Sequence, residues 1–278
     1  MDKIKVWAYC LVWNEEKLLP YYLKYYTSFC ERVIVYDNES TDRSVEICSQ
    51  FPNVEVRTYR TNNELNDFEY LRIKTQCVHE ARNQADFVIV GDCDEFVYHE
   101  NMLEFLAEAK GKYSVFYPAG FDMVTEKFPT TEGSIFDEVK LGVPNPWYSK
   151  PMLMDPNSVF DFAWVEGCHE LVDGSLQAFG DIYHIVREDE IPNEKPYKGH
   201  MWPRYKKQFE VLDRFVTHPL KMLHCKFLGP EYVSERHRAY ASRLSDENLK
   251  ADLGEHYISM DIKNKFTELN SQVQFVIK

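Results

Sequence analysis

Between Lys3 and Trp13 both alternating sets of positions are largely apolar, with Ile4, Val6, Ala8, Cys10 and Val12 on one side and Trp7, Tyr9 and Leu11 on the other. A strand covered on both faces of its sheet needs this pattern. Asn14-Glu15-Glu16 breaks the run. Asn14 is placed to cap a following helix whose first turn tolerates two acids, and Leu19, Tyr22, Leu23 and Tyr26 recur on one face through Phe29. Arg32 to Asp37 predicts a second strand ending in an acid, and Ser40 or Thr41 is placed to start a helix over DRSVEICSQ. The alternation continues with a strand over Val54 to Tyr59, a helix over Asp67 to Ala85 and a strand over Phe87 to Gly91. Repeated strand–helix crossings of this length predict an α/β fold with a Rossmann-like, mainly parallel central sheet covered by helices, and sites in such sheets form at the carboxyl ends of strands. Asp37 and Asp92 are therefore expected at the same rim.

After a helix over Met102 to Lys110 and a strand over Tyr113 to Tyr117, the texture changes. From Ala119 to about Pro203 the chain is rich in Pro, Gly and aromatic residues, which predicts short strands and loops around a substrate pocket. Lys206 to Phe215 reads as a helix, HPLKMLHCKF has a short apolar centre, and Glu231 to Leu253 reads as a helical tail ending at Gly254. The organisation expected is one domain over residues 1–215, divided into a nucleotide-binding half (1–118) and an acceptor half (119–215), with a helical C-terminal extension (216–278) that completes the site.

Composition narrows the function classes. The chain has 278 residues, 44% hydrophobic, enough for a sizeable core. Its net charge of −13 and the lack of a long Lys/Arg run disfavour nucleic acid as a partner, although a bound divalent cation can reverse such a field locally. No apolar run approaches the roughly 20 residues of a membrane helix, and MDKIKVWAY does not read as a signal peptide. A cytoplasmic location is expected, with peripheral contact at the inner face of a membrane compatible with it. Seven cysteines without a CxxC pair read as buried free thiols.

The chemistry concentrates in FVIVGDCDEFVY, residues 87–98. Asp92 and Asp94 follow directly on an apolar strand, and two ionised carboxylates there need a positive partner. A hard divalent ion bridged by a diphosphate meets the need: Asp94 ligates the metal, and Asp92 ligates it or holds a ribose hydroxyl. Asp37, at its own strand end, can accept from a nucleobase or ribose. Neither GxGxxG nor GxxxxGK[ST] is present, so a nucleotide here would be held by acids and metal.

These pieces, the opening strand with NEEKLLPYYLKYY, then VIVYDNESTDRS, then VIVGDCDEF, resemble the family 2-like glycosyltransferases of the GT-A fold, particularly the bacterial and viral surface-polysaccharide branch. The resemblance implies that Asp37 contacts the nucleoside and that Asp92 and Asp94 hold Mn²⁺ or Mg²⁺ on the diphosphate of a nucleotide-sugar donor. It also implies inversion at the sugar. Lys150 in YSKPML, His169 in EGCHE and His224 in LHCKF match less specifically, and the family's ED base motif is missing.

Downstream, His169 is a candidate metal ligand, and Glu166, Glu170 and Asp122 compete for the role of base toward an acceptor hydroxyl. Lys150, His224 and Lys226 are candidate cations for the donor phosphates. Trp147, Tyr148 and Trp164 are candidates for an acceptor pocket, since aromatic faces suit sugar rings. His184, His200 and His218 have spacings that fit no compact metal signature. The function expected is metal-dependent transfer of a sugar, a UDP-sugar first among donors, to a hydroxyl of a glycan or lipid-linked glycan. The alternatives are a nucleotidyltransferase acting on sugar phosphates and a non-catalytic glycan or sugar-nucleotide binding protein.

Overall fold

The first strand, β1 (Val6–Val12), is buried at every position. That burial follows from the double apolar pattern, because α1 (Leu19–Thr27) covers one face and α3 (Asp67–Ala81) the other. The computed structural model describes residues 3–145, 148–159 and 219–277, and the backbone of 162–165, 168–171 and 181–184. Among these, β2 (Arg32–Asp37), α2 (Ser44–Cys48), β3 (Val54–Thr58) and β4 (Phe87–Asp92) complete the expected alternation. The chain continues through β5 (Glu95–Tyr98), α4 (Met102–Ala109), β6 (Tyr113–Tyr117), β7 (Ala119–Thr125), β8 (Leu141–Pro144) and β9 (Leu153–Met154). Three short strands follow, β10 (Phe162–Val165), β11 (Cys168–Leu171) and β12 (Asp181–His184).

The central sheet has seven strands in the order β12-β6-β9-β4-β1-β2-β3, and only β9 runs against the rest. The fold is thus mixed α/β, with a mostly parallel central sheet flanked by helices and helices at the C-terminal end. A second sheet, of five strands, joins β14 (Gln274–Phe275), β8, β7, β13 (Lys221–Leu228) and β5 in that order. β13, from the segment read as an extension, lies inside this sheet between β7 and β5. The exposed edge of β5 is closed by α1: Tyr26 Oη donates to the Glu95 carbonyl at 3.0 Å and accepts from Val97 N at 2.9 Å, and Tyr25 Oη donates to the Val97 carbonyl at 2.8 Å. These hydroxyls use the pairing groups that an edge strand would otherwise leave open.

Several element boundaries differ from the sequence reading. Asn14 does not cap α1: its φ is +51°, and its Oδ1 accepts from Thr41 N and Asp42 N, tying the two loops after β1 and β2 together. α1 starts later, where Pro20 is accommodated in the first turn. The short second helix begins at Ser44 rather than near Ser40, with Asp42 accepting from Ser44 N. α3 is capped by Asn66, which accepts from Phe68 N and Glu69 N, and it ends at Ala81 before Asn83 at φ +58°. The single helix read over Glu231 to Leu253 is two, α5 (Pro230–Ala241) and α6 (Asp246–Lys250), and α7 (Glu255–Ser259) and α8 (Ile262–Asn270) follow it. The break after α5 has a local cause, since Leu244 pairs with Leu65 beside α3 and Ser245 then caps the next helix. The predicted helix over Lys206 to Phe215 lies outside the described residues.

No helix of the described residues is long and apolar enough to cross a membrane. Cys10, Cys30, Cys48, Cys77, Cys93 and Cys225 are all buried free thiols, as their apolar contexts predict.

One close approach shapes the second sheet. A Cβ on Gly120 would fall 2.5–2.6 Å from backbone atoms of Asn145, Tyr148 and Ser149. Gly120→Ala is therefore expected to destabilise the protein by about 1–3 kcal/mol, the usual range for overpacking. Urea unfolding reads the change, and an unaltered midpoint would show that the backbone at Asn145, Tyr148 and Ser149 gives way freely.

Candidate functional site

β4 ends at Asp92, and the chain enters β5 at Glu95, so Asp92, Asp94 and Glu95 all issue from one short junction between the two sheets. Register does the rest. His224 on β13 pairs with Glu95 on one side and with Asp122 of β7 on the other. Residues opposite one another on adjacent strands share a face, so Glu95, His224 and Asp122 form a row next to Asp94.

Each acid in the row meets a basic group. Asp94, 5% exposed, accepts at Oδ2 from Arg236 Nη1 of α5, and His224 Nε2 lies 3.6 Å from the same oxygen. His224 Nδ1 is 2.9 Å from Asp122 Oδ1, while Asp122 Oδ2 accepts from Asn145 Nδ2 at 2.7 Å. Tyr148 packs on the imidazole with ring centroids 3.9 Å apart and the planes tilted by 32°. Glu95 and Lys150, 2% and 4% exposed, form an ion pair at 2.5 Å, and Glu95 Oε2 also accepts from Asp92 N at 3.1 Å. Asp92 has a more open side chain, 38% exposed, and pairs with Lys74 Nζ of α3 at 2.7 Å.

Arg236 has a second partner. Glu15, just past β1, accepts at Oε1 from Arg236 Nε at 3.0 Å and Nη2 at 2.7 Å, and from Tyr240 Oη at 2.7 Å. Burial pushes the Glu15 carboxyl above its usual range and Asp94 adds to the rise, which Arg236 only partly offsets. For Asp94 burial acts in the same upward direction, but Arg236 and His224 outweigh it and hold the carboxyl well below its usual range. Burial would lower the His224 pKa, yet Asp94 and Asp122 raise it overall. Lys74 is pushed up to about 12 because Asp92 and Glu95 overcome its burial, whereas burial brings Lys226 down to about 8.

All of these side chains except Glu15, which lies behind Arg236, line a cavity of about 570 Å³. Among the described residues its wall carries Lys74, Lys150, Lys226, Arg236 and Lys265 against Asp67, Asp92, Asp94, Glu95 and Asp122. That balance of five to five stands out in a chain with 32 Lys and Arg against 45 Asp and Glu. An anion entering here meets a higher share of basic groups than the chain carries as a whole.

The structure brings Asp92, Asp94, Asp122, Tyr148, Lys150, His224 and Lys226 to this cavity. Lys150 is there as the buried partner of Glu95, not as an unpaired cation. Asp37 does not join them: it shares the rim with Asp92, but it pairs with Val12, while Asp92 pairs with Leu11. Adjacent positions of β1 face opposite sides, so the two carboxylates do as well. Asp37 is buried and accepts from Ser40 N, the arrangement of a turn. For Trp164, His169 and Glu170 the description covers the backbone of the β10–β11 hairpin, where Trp164 pairs with His169. Trp147, Glu166, His200 and His218 lie outside the described residues.

Glu15, Lys74 and Arg236 were missed by the sequence reading. A signal for two of them was present. Lys74 falls on the helix face of Leu71 and Val78, and Arg236 falls on that of Tyr232, Val233 and Tyr240, so each charge sits on an apolar stripe and needs a buried partner.

Asp92 and Asp94 are the two carboxylates here that could hold a hard divalent ion. All recorded contacts of the Asp94 carboxylate among the described residues fall on Oδ2, which leaves Oδ1 clear, and Asp92 opens to the cavity. Among the described residues no three His, Cys, Asp or Glu side chains gather as a metal-holding group. An ion bound here would complete its shell from substrate phosphates, a habit of Mg²⁺.

No family model matches the chain, and no curated protein matches it significantly. Solved structures do align with it. One is 4-diphosphocytidyl-2C-methyl-D-erythritol synthase from Anaerococcus prevotii, at 16% identity and TM-score 0.31, covering 56% of this chain and 73% of that one. Another is glucosyl-3-phosphoglycerate synthase from Mycobacterium tuberculosis, in complex with Mn²⁺, UDP and glucosyl-3-phosphoglycerate, at 14% identity and TM-score 0.29, covering 43% and 44%. Likenesses of this size do not decide a function, and the side chains of the cavity must carry the reading.

The Glu95–Lys150 pair is the best-buried ion pair of the site. Lys150→Met leaves Glu95 uncompensated and is expected to lower unfolding stability by about 3–5 kcal/mol, while the double variant Lys150→Met/Glu95→Leu recovers most of the loss. Denaturant unfolding of the three proteins checks this. A single variant as stable as wild type would show that Glu95 finds another partner.

Proposed function

We propose that the protein is a glycosyltransferase that moves a sugar from a nucleotide diphosphate sugar, a UDP-sugar first among candidates, to a hydroxyl of a glycan or lipid-linked glycan. The observation that carries this reading is the acid junction Asp92-Cys93-Asp94-Glu95, set in a cavity whose basic groups match its acids one for one. Open carboxylate oxygens beside fixed cations suit a metal-bridged diphosphate better than a neutral ligand. The resemblance of the strand-end motifs to the GT-A family 2-like enzymes points the same way.

In this reading Asp92 and Asp94 hold Mn²⁺ or Mg²⁺, with His224 Nε2 as the nitrogen brought near Asp94. His169 remains the alternative from the sequence. The ion, when bound, neutralises the charge that builds on the departing diphosphate. Lys226 adds positive charge from the C-terminal wall, and Lys74 keeps Asp92 oriented toward the cavity. Asp122 is engaged by His224 and Asn145, so it serves better to fix the imidazole than to take the acceptor's proton. Glu166 and Glu170 stay the base candidates. Tyr148, packed on His224, offers a ring edge to the acceptor sugar, with Trp147 and Trp164 as further candidates.

Asp94→Asn is expected to reduce turnover at least about 10²-fold, and Asp92→Asn to be comparably severe, because both act where charge develops. Purified protein supplied with nucleotide sugars and glycan acceptors should release nucleoside diphosphate, lose activity in chelator and regain it with Mn²⁺ or Mg²⁺. Release of pyrophosphate would instead identify a nucleotidyltransferase. Nucleotide binding without turnover on any acceptor would identify a binding protein.

A further inference from the structure

Arg236 stands apart from the other cations of the cavity in how it is held. Its guanidinium presents three nitrogens to two carboxylates from distant parts of the chain. Nε and Nη2 both donate to Glu15 Oε1, and Nη1 donates to Asp94 Oδ2. Tyr240, one helical turn on, donates to the same Glu15 oxygen and keeps that carboxylate in place. The ring of Tyr240 also lies beneath the guanidinium, 5.2 Å from Cζ to the centroid. Two bonds to one fixed acceptor define the guanidinium plane, so Nη1 points at the acid junction whatever else enters the cavity. Lys226 lies on the same wall, its Nζ 5.6 Å from the Tyr257 ring centroid.

We infer that Arg236 is a residue that binds the sugar-linked phosphate of the donor, and that Glu15 is its positioning residue; the inference rests on the glycosyltransferase reading above. In the transfer the acceptor oxygen forms a bond to the anomeric carbon and the bond from that carbon to the phosphate oxygen breaks. The electron pair stays on the diphosphate, and the acceptor's proton goes to the base. The phosphate that gains charge is the one linked to the sugar, and a guanidinium beside Asp94 neutralises it without any movement of the backbone. Asp94 holds Arg236 by one oxygen only, so a phosphate oxygen can share the remaining donor capacity of Nη1. A monophosphate lacks the group that Arg236 would meet. Arg236 therefore gives the site a preference for nucleoside diphosphates over monophosphates that is independent of any divalent ion.

The test is binding of nucleoside diphosphates and the matching monophosphates, UDP and UMP first, by titration calorimetry in excess EDTA and again with Mn²⁺. Wild type in EDTA is expected to bind UDP at least about 10-fold more tightly than UMP. Arg236→Gln should erase that ratio and leave UMP affinity unchanged, Arg236→Lys should restore part of it, and Glu15→Gln should reduce it several-fold. A purely structural role for Glu15 would lower the thermal midpoint and weaken UDP and UMP equally, which would remove it as a positioning residue. Should Arg236→Gln fail to fold, the double variant Glu15→Gln/Arg236→Gln removes one charge of each sign and answers the same question. A diphosphate preference that survives in these variants overturns the inference. A preference that appears only with Mn²⁺ also overturns it, but leaves the glycosyltransferase reading intact. No binding of UDP or of any other common nucleoside diphosphate, with or without Mn²⁺, overturns both.

Discussion

Five carboxylates meet around the junction of β4 and β5 and the loop after β1, and most of the site's architecture answers the problem of keeping them charged. A buried ionised carboxylate without a partner is among the most destabilising groups a protein can hold. Here the partners come from everywhere in the chain. α3 sends Lys74 to Asp92, the segment before β9 sends Lys150 to Glu95, β13 places His224 between Asp94 and Asp122, and α5 inserts Arg236 between Asp94 and Glu15. The charges add to the sheet pairing and core packing that already bring these elements together. The C-terminal helices are part of the same device, because the helix that carries Arg236 closes one side of the cavity and Leu244 then pairs beside α3.

The parallel core was legible in the sequence because its signals are local. The double apolar pattern of β1, the acid ending β2, and the apolar run into Gly91-Asp92 each mark an element without reference to the rest of the chain. Asp92 and Asp94 were legible for the same reason, being charges placed directly after a fully buried strand. The side of the sheet that Asp37 takes was not legible, because the rim of a sheet has two faces, and only the register between β1 and its two neighbours tells them apart. A one-residue offset in that pairing sends a carboxylate to the other side. Lys150 lines the cavity, but its neutralisation by Glu95 depends on a contact between residues that no local pattern links.

Glu15 and Arg236 show the other limit. Their interaction spans 221 positions of sequence, and nothing near Glu15 distinguishes it from the solvated acids common in a first helical turn. The clue lay on the other partner, in an arginine on the buried stripe of a helix. Such a residue forecasts that a carboxylate exists without saying which. The tail helix was overextended for a similar reason, since its break at Leu244 comes from pairing with Leu65 rather than from a proline or glycine at that point.

The cysteines add a property of another kind. Cys10 lies beside Gly91 in the sheet, Cys93 separates the two aspartates, and Cys225 follows His224, so one thiol lies in the cavity wall and two lie in the core behind it. Burial drives all three well above the ordinary thiol pKa. A thiol held protonated and out of water is a poor nucleophile. The folded protein therefore carries silent alkylation sites in and behind the cavity wall, and the speed at which a thiol reagent modifies them becomes a clock for how often these strands open.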